Sequence, residues 1–241
     1  MSTALSSAGQ GASPHSQTLS RGIRVLEILA ENGDPMTIVA LSTTLGVHRS
    51  IAYRILRTLE DHGLVLRDAA GAVRLGPRMA ALARGVARDL QSAALPELTA
   101  AANELGMTAF LTVLDHREVV TLLSVEPRQA HATVAQRPGT RHPLSVGAPG
   151  IAIQSRLDAR QWAELGHGET ARPEADLARA RGFASSHDEV IPGLSSIAVP
   201  LFVAGQPPAA IAVVYVANAN DAAMIGARLT QSATAIEAEL R

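Results

Sequence analysis

Cysteine is absent from the 241 residues, so the chain carries no disulfide framework and no thiolate chemistry, and any metal site would rest on histidine and carboxylates alone. Such a composition is compatible with the reducing cytoplasm, which is the expected location. Lysine is absent as well. Every basic side chain is arginine, the residue suited to bidentate contacts with phosphate and guanine. Long apolar runs are also missing: the most apolar stretch, Ala209 to Ala217, falls well short of the roughly 20 residues a spanning helix needs and suits a buried strand. No membrane association is expected. The opening segment, residues 1–17, is rich in Ser, Ala and Gly, has no basic start and no apolar run, and reads as a disordered tail rather than a signal peptide.

What the chain has is an uneven distribution of charge. The net charge of −1 decides nothing about a polyanionic partner. From Leu19 to Ala83, however, eight arginines face six acids, and this segment is positive while the remainder is negative. The pattern there predicts helix, short turn, helix. Leu19, Ile23, Leu26 and Leu29 recur at helical spacing until Gly33-Asp34-Pro35 stops them, and Thr37 caps "TIVALSTTLG" with Val39, Leu41 and Leu45 as its apolar residues. A third helix begins near His48 or Arg49. Plotted at about 100° per residue, it gathers Ala52, Ile55, Leu56 and Leu59 on one face and Ser50, Tyr53, Arg54 and Arg57 on the other.

A solvated helix face normally mixes Glu with Lys, whereas this one is basic, aromatic and hydroxylic until Glu60. "GLVLRDAAGAVRLG" then reads as two short strands, Leu64 to Arg67 and Ala72 to Leu75, around a glycine-containing turn, with Arg67 and Arg74 flanking the hairpin. Three helices and a basic hairpin form the order of a winged helix-turn-helix, in which the last helix enters the major groove. Residues 18–77 are therefore expected to bind DNA through His48, Arg49, Ser50, Ile51, Tyr53, Arg54 and Arg57 of the helix, with Arg67 and Arg74 on the wing. Residues 78–91, where Met79, Leu82, Val86 and Leu90 keep helical spacing, are expected to form one linker helix.

Residues 92–241 predict a second, α+β domain. A helix in "SAALPELTAAANELG" ends at Gly106, and strands follow in "TAFLTVLD", "EVVTLLSVE" and "HATVAQ". Short helices are expected near Gly150 to Arg156, Gln161 to Leu165 and Glu174 to Arg181, with strands at Ser196 to Phe202 and Ala209 to Val216. His131, His142, His167 and His187 share this region with Asp188 and Glu189. Adjacent residues on an extended segment point to opposite sides, so His187 and Asp188 are not expected to act on one atom together. Without a His-x-x-x-His pair, a glycine-rich phosphate loop or a Gly-x-Ser-x-Gly elbow, an enzyme is not expected, and no cofactor is implied. A ligand pocket fits better. Gly147, Ala148, Pro149 and Gly150 precede a helix expected to begin near Ile151, whose free N–H groups would receive a carboxylate; the same small residues would also serve a tight packing turn.

The segment from Ser20 to Ala83, with "RHPLSVGAPGIAI" and "ARARGFASSHDEVIPGLSSIAVPLFVAGQPPAAIAVVYVA" after it, resembles the isocitrate lyase regulator (IclR) family of bacterial transcription factors. The resemblance implies a GAF-like effector domain; a homodimer or dimer of dimers, with residues 92–241 also mediating oligomerisation, is expected because one winged domain supplies few phosphate contacts and two half-sites multiply them. The resemblance places the effector between the 147–150 turn and the segment from His187 and Asp188 to Ser195 and Ser196, and the effector's body is expected against Val214 and Tyr215. The chain departs from the family where that pattern usually offers a hydroxyl and a cation (Ser145 to Ile151), serines in the last strand (Ala212, Val214) and a cysteine (Ser196). Fewer polar partners imply a more apolar effector, or none.

The expected function is a DNA-binding regulator, by default a repressor, whose operator affinity is tuned by a small, partly apolar carboxylate. The alternative is a ligand sensor that acts through protein contacts rather than DNA.

Overall fold

In the computed structural model the described residues are 16–129, 134, 136–166, 171–216 and 221–241. They divide into two compact units, one ending at Val86 and one beginning at Ala87. Most of the expected tail, His131, His167 and most of "HATVAQ" lie outside the described residues. At the tail's end, Ser16 caps the first helix through its hydroxyl and Gln17 already belongs to that helix.

The first unit contains α1 (Gln17–Asn32), α2 (Ile38–Leu45) and α3 (Arg49–Asp61), then β1 (Val65–Arg67) paired antiparallel with β2 (Val73–Leu75). Thr37 caps α2 as read, accepting from the Ala40 N–H at 3.2 Å, and Gly46 ends it in the left-handed region. Ala52, Ile55, Leu56 and Leu59 are all buried in this unit's core. The seam of α1 is rotated from the expected one. Val25, Ile28 and Leu29 are buried beside Gly22, while Leu19 and Ile23 stay 64% and 49% exposed. Met36 adds a short third rung to the wing, exchanging main-chain hydrogen bonds with Val73 at 2.7 and 2.8 Å.

The segment expected as a single linker helix is broken. α4 (Arg78–Ala83) stops before Gly85, Ala87 takes φ 44°, and α5 (Arg88–Leu105) starts afresh. A left-handed residue cannot continue a right-handed helix. The apolar spacing persists across the break, yet of its members only Leu90 is fully buried, in the core of the second unit.

The second unit is built on one antiparallel six-stranded sheet, in the order β5-β4-β3-β8-β7-β6. Its strands are β3 (Thr108–Asp115), β4 (Glu118–Val125), β5 (Arg141–Pro143), β6 (Ala184–His187), β7 (Leu194–Leu201) and β8 (Ala209–Val216). β5 and β6 are short edge strands without an alternating apolar signature, and the sequence reading left them out. α6 (Gly147–Gln154), α7 (Ala159–Leu165) and α8 (Pro173–Arg181) follow β5, and α9 (Ala222–Glu239) closes the chain. Side chains alternate across the sheet. Ala109, Leu111, Ile197, Ile211 and Val213 join α5 and α9 in one core layer, while Phe110, Ala198, Ala212 and Val214 join α6 in the other. The second layer holds the candidate ligand site.

Candidate functional site

On the first unit, α3 presents one continuous basic face. His48 caps the helix, its Nδ1 accepting from the Ser50 N–H at 3.3 Å and lying 2.9 Å from the Ser50 hydroxyl, which fixes both side chains at the first turn. Arg49, Ser50, Tyr53, Arg54 and Arg57 are exposed, Ile51 is half-buried, and none of these three arginines forms an ion pair among the described residues. Arg74 is exposed on β2. Arg67 is different: its guanidinium grips both oxygens of Glu60, at 2.8 and 3.1 Å, and lies 5.5 Å from the centre of the Tyr53 ring. It therefore joins the wing to α3 and neutralises Glu60, an acid beside the basic face. The result is a helix N-terminus and a row of arginines with no internal counterions, the arrangement that attracts phosphate.

The cleft on the second unit lies between the α6 side of the sheet and the strap 188–193, which joins β6 to β7. Its empty space is about 440 Å³, open solvent at its mouth included, and only a small part of that is enclosed. Phe110, Leu194 and Val214 line it from the sheet, Val190 and Ile191 from the strap, and Gln136, His142, Ser186 and Ser196 supply polar groups. Burial pushes the His142 imidazole below its ordinary value, opposed by the carbonyls of Pro143 and Val146, so the ring is neutral near pH 7.

Several expected site residues stand elsewhere. α6 begins at Gly147 rather than near Ile151, and the N–H groups expected to be free are taken. Gly147 N–H donates to Glu189 Oε2 and Ala148 N–H to the Ser186 hydroxyl, both at 2.8 Å, while Pro149 has none to give. Gly147 and Pro149 line the cleft; Ala148 and Gly150 are buried in the core behind it. Tyr215 is on the opposite face from Val214, packed against the α5 and α9 layer, because neighbours on a strand point apart. Burial pushes its hydroxyl up, partly offset by a hydrogen bond with Ser195.

His187 and Asp188 do meet, contrary to the sequence reading. Asp188 adopts φ 59°, which leaves the extended geometry and turns its carboxylate to 2.9 Å from His187 Nε2, while His187 Nδ1 lies 2.9 Å from the Ser195 hydroxyl. This cluster sits on the exposed rim and pins the base of the strap. Among the described residues no three histidine or acidic side chains gather to hold a metal ion.

The sequence reading missed Glu189 as a site group, together with Arg172. Arg172 donates to both oxygens of Glu189, to Glu174 at 2.8 Å and to the Ser145 carbonyl at 3.2 Å, and its own N–H is held by Gln154. Glu174 first and Glu189 second hold the guanidinium above its ordinary value. Phe110, His142 and Ser186 were likewise unassigned. Phe110 had the alternation of β3 as its only sequence signal, and His142 on β5 and Ser186 on β6 had none.

Comparison with known proteins matches both units. The IclR helix-turn-helix domain matches residues 18–69 and the bacterial transcriptional regulator IclR C-terminal domain matches residues 85–238. The chain is 30% identical to the glycerol operon regulatory protein of Streptomyces griseus over 77% of this chain and 78% of that one. Among solved structures, an IclR transcriptional regulator from Alicyclobacillus acidocaldarius superposes with a TM-score of 0.80 at 25% identity, covering 95% of this chain and 100% of that one. An IclR homologue from Microbacterium hydrocarbonoxydans, complexed with 4-hydroxybenzoate, gives a TM-score of 0.80 at 25% identity and covers 93% and 99% of the two chains.

Proposed function

Since this chain belongs to the IclR family of bacterial transcriptional regulators, we propose that it represses transcription in the cytoplasm as a homodimer or dimer of dimers, releasing its operator when a small, partly apolar carboxylate binds the second unit. The observation that carries the DNA half is the unpaired arginine row on α3. Arg49, Ser50 and Tyr53, nearest the helix start, read bases, with Ile51 against a thymine methyl; Arg54, Arg57 and Arg74 meet phosphates. Arg67 contributes by holding the wing. The ligand half rests on the apolar cleft floored by Phe110 and Val214, and on an aromatic carboxylate being bound by a relative of the same fold.

Selection of binding sites from random duplexes with the full chain, followed by release with aromatic carboxylates, tests both halves. Arg49→Ala is expected to relax preference at one position per half-site, by about 1–3 kcal/mol. A consensus identical to that of the parent chain would remove Arg49 from base reading. Failure to select any duplex, at low salt as well as high, would favour a sensor working through protein contacts.

Self-association is supported by apolar side chains that the first unit leaves outside its own core. α4 buries no residue, and Leu82 on it is 62% exposed, as are Leu19 and Ile23 on α1 to similar degrees. Leu82→Asp is expected to shift sedimentation toward monomer at micromolar concentration. Operator affinity should fall by at least about tenfold, because one half-site supplies only half of the phosphate contacts. An unchanged sedimentation profile would place the dimer contact elsewhere.

A further inference from the structure

The position suited to an effector's carboxylate is already filled, by a carboxylate of the chain itself. Glu189 Oε2 accepts from Gly147 N–H at the first turn of α6, Arg172 grips both of its oxygens, and the side chain forms part of the cleft wall. The remaining groups of that turn offer no second place for an anion: Ala148 N–H is bound by Ser186, and Arg172 is already shared with Glu174. Charge then limits what enters. A second carboxylate beside Glu189 would meet a like charge.

Glu189 rides on the same strap as Val190 and Ile191, the apolar wall of the cleft. The strap is fastened at its base, where Asp188 N–H donates to the Leu194 carbonyl at 3.0 Å and Gly193 N–H donates to Asp188. Its middle residues are exposed and held on the inner side by Glu189. We propose that Glu189 is a tethered competitor that sets effector specificity: an anionic ligand takes the Gly147 N–H and the Arg172 guanidinium only by displacing it, whereas an uncharged ligand binds beside it. This inference rests on the cleft being the effector site.

Calorimetric titration of the full chain with benzoate, and with benzamide as its uncharged counterpart of similar shape, separates the two. Glu189→Ala is expected to tighten benzoate about ten- to a hundredfold, the range spanned by one hydrogen bond to a charged group, and to leave benzamide within about twofold. Glu189→Gln keeps an oxygen for Gly147 N–H and removes the charge, so it should fold as the parent does and give an intermediate gain. Adding Arg172→Met to Glu189→Ala should cancel the gain, since the guanidinium that receives benzoate is gone. Unchanged benzoate affinity in the folded Glu189→Ala chain, or equal tightening of both probes, would overturn the competitor role while leaving the cleft as a ligand site. Binding of neither probe to any of these chains would overturn the reading of the cleft, and this inference with it.

Discussion

Replacing Arg54 and Arg57 together by alanine is expected to lower operator affinity on the order of a hundredfold at physiological salt, and to flatten its salt dependence. Both side chains are exposed and neither is paired with an acid among the described residues, so their counterions are released only when phosphate takes their place. Each contact contributes close to one ion to the salt slope. A dimer would lose four such contacts, and the logarithmic slope should decrease by roughly 3.6. Folding should not suffer, because the buried side of α3 is untouched. Fluorescence anisotropy with a labelled operator across a salt series measures both quantities. An unchanged slope would move the phosphate-binding surface off this helix.

Gly150→Ala should cost about 3 kcal/mol or more, through overpacking that the backbone cannot relieve. A Cβ built on Gly150 falls 2.2 Å from the Leu144 carbonyl oxygen, a main-chain atom that also accepts from Gln154 Nε2 at 2.7 Å. Relief would require moving either α6 or the end of the segment that leads into it. Since Leu144, Ala148 and Ile151 belong to one core layer, the cleft would deform with them. The expected readout is a melting transition of the second unit lowered by roughly 10 °C, together with loss of ligand binding. A melting temperature within 2 °C of the parent chain, about the shift a change well below 1 kcal/mol produces, would show that the junction yields easily.

The parts of the fold that could be read from sequence are those where one face is unambiguous. In α3 every apolar residue lies within one arc and every arginine outside it, and the four predicted core residues are the four buried ones. α1 was harder because apolar residues cover more than half of its circumference. Leu19 and Ile23 fit the spacing as well as Val25 and Ile28 do, and which set is buried depends on partners the local pattern does not contain. Likewise the linker segment kept its apolar period through a break that only the φ angle at Ala87 reveals.

The cleft was legible where the period-2 rule applies, at Ser196 and Val214. Tyr215 fails the same rule, being the immediate neighbour of Val214. Glu189 and Arg172 could not be found this way, because the groups they hold lie far away in the chain. A glutamate in a polar loop looks solvated until Gly147, 42 residues earlier, is seen to donate to it. His187 and Asp188 differ from expectation for another reason: extended backbone would separate them, and Asp188 leaves it.

The grip of Arg67 on Glu60, with Tyr53 beneath it, bears on how this regulator could be retargeted. Grafting the α3 residues proposed to read bases into a related scaffold would move Tyr53 without the guanidinium that lies over its ring. It would also leave Glu60, if carried along, as an unshielded negative charge near the DNA backbone. The transplantable unit is therefore the helix together with the first wing strand, and specificity libraries that vary α3 should keep positions 53, 60 and 67 linked.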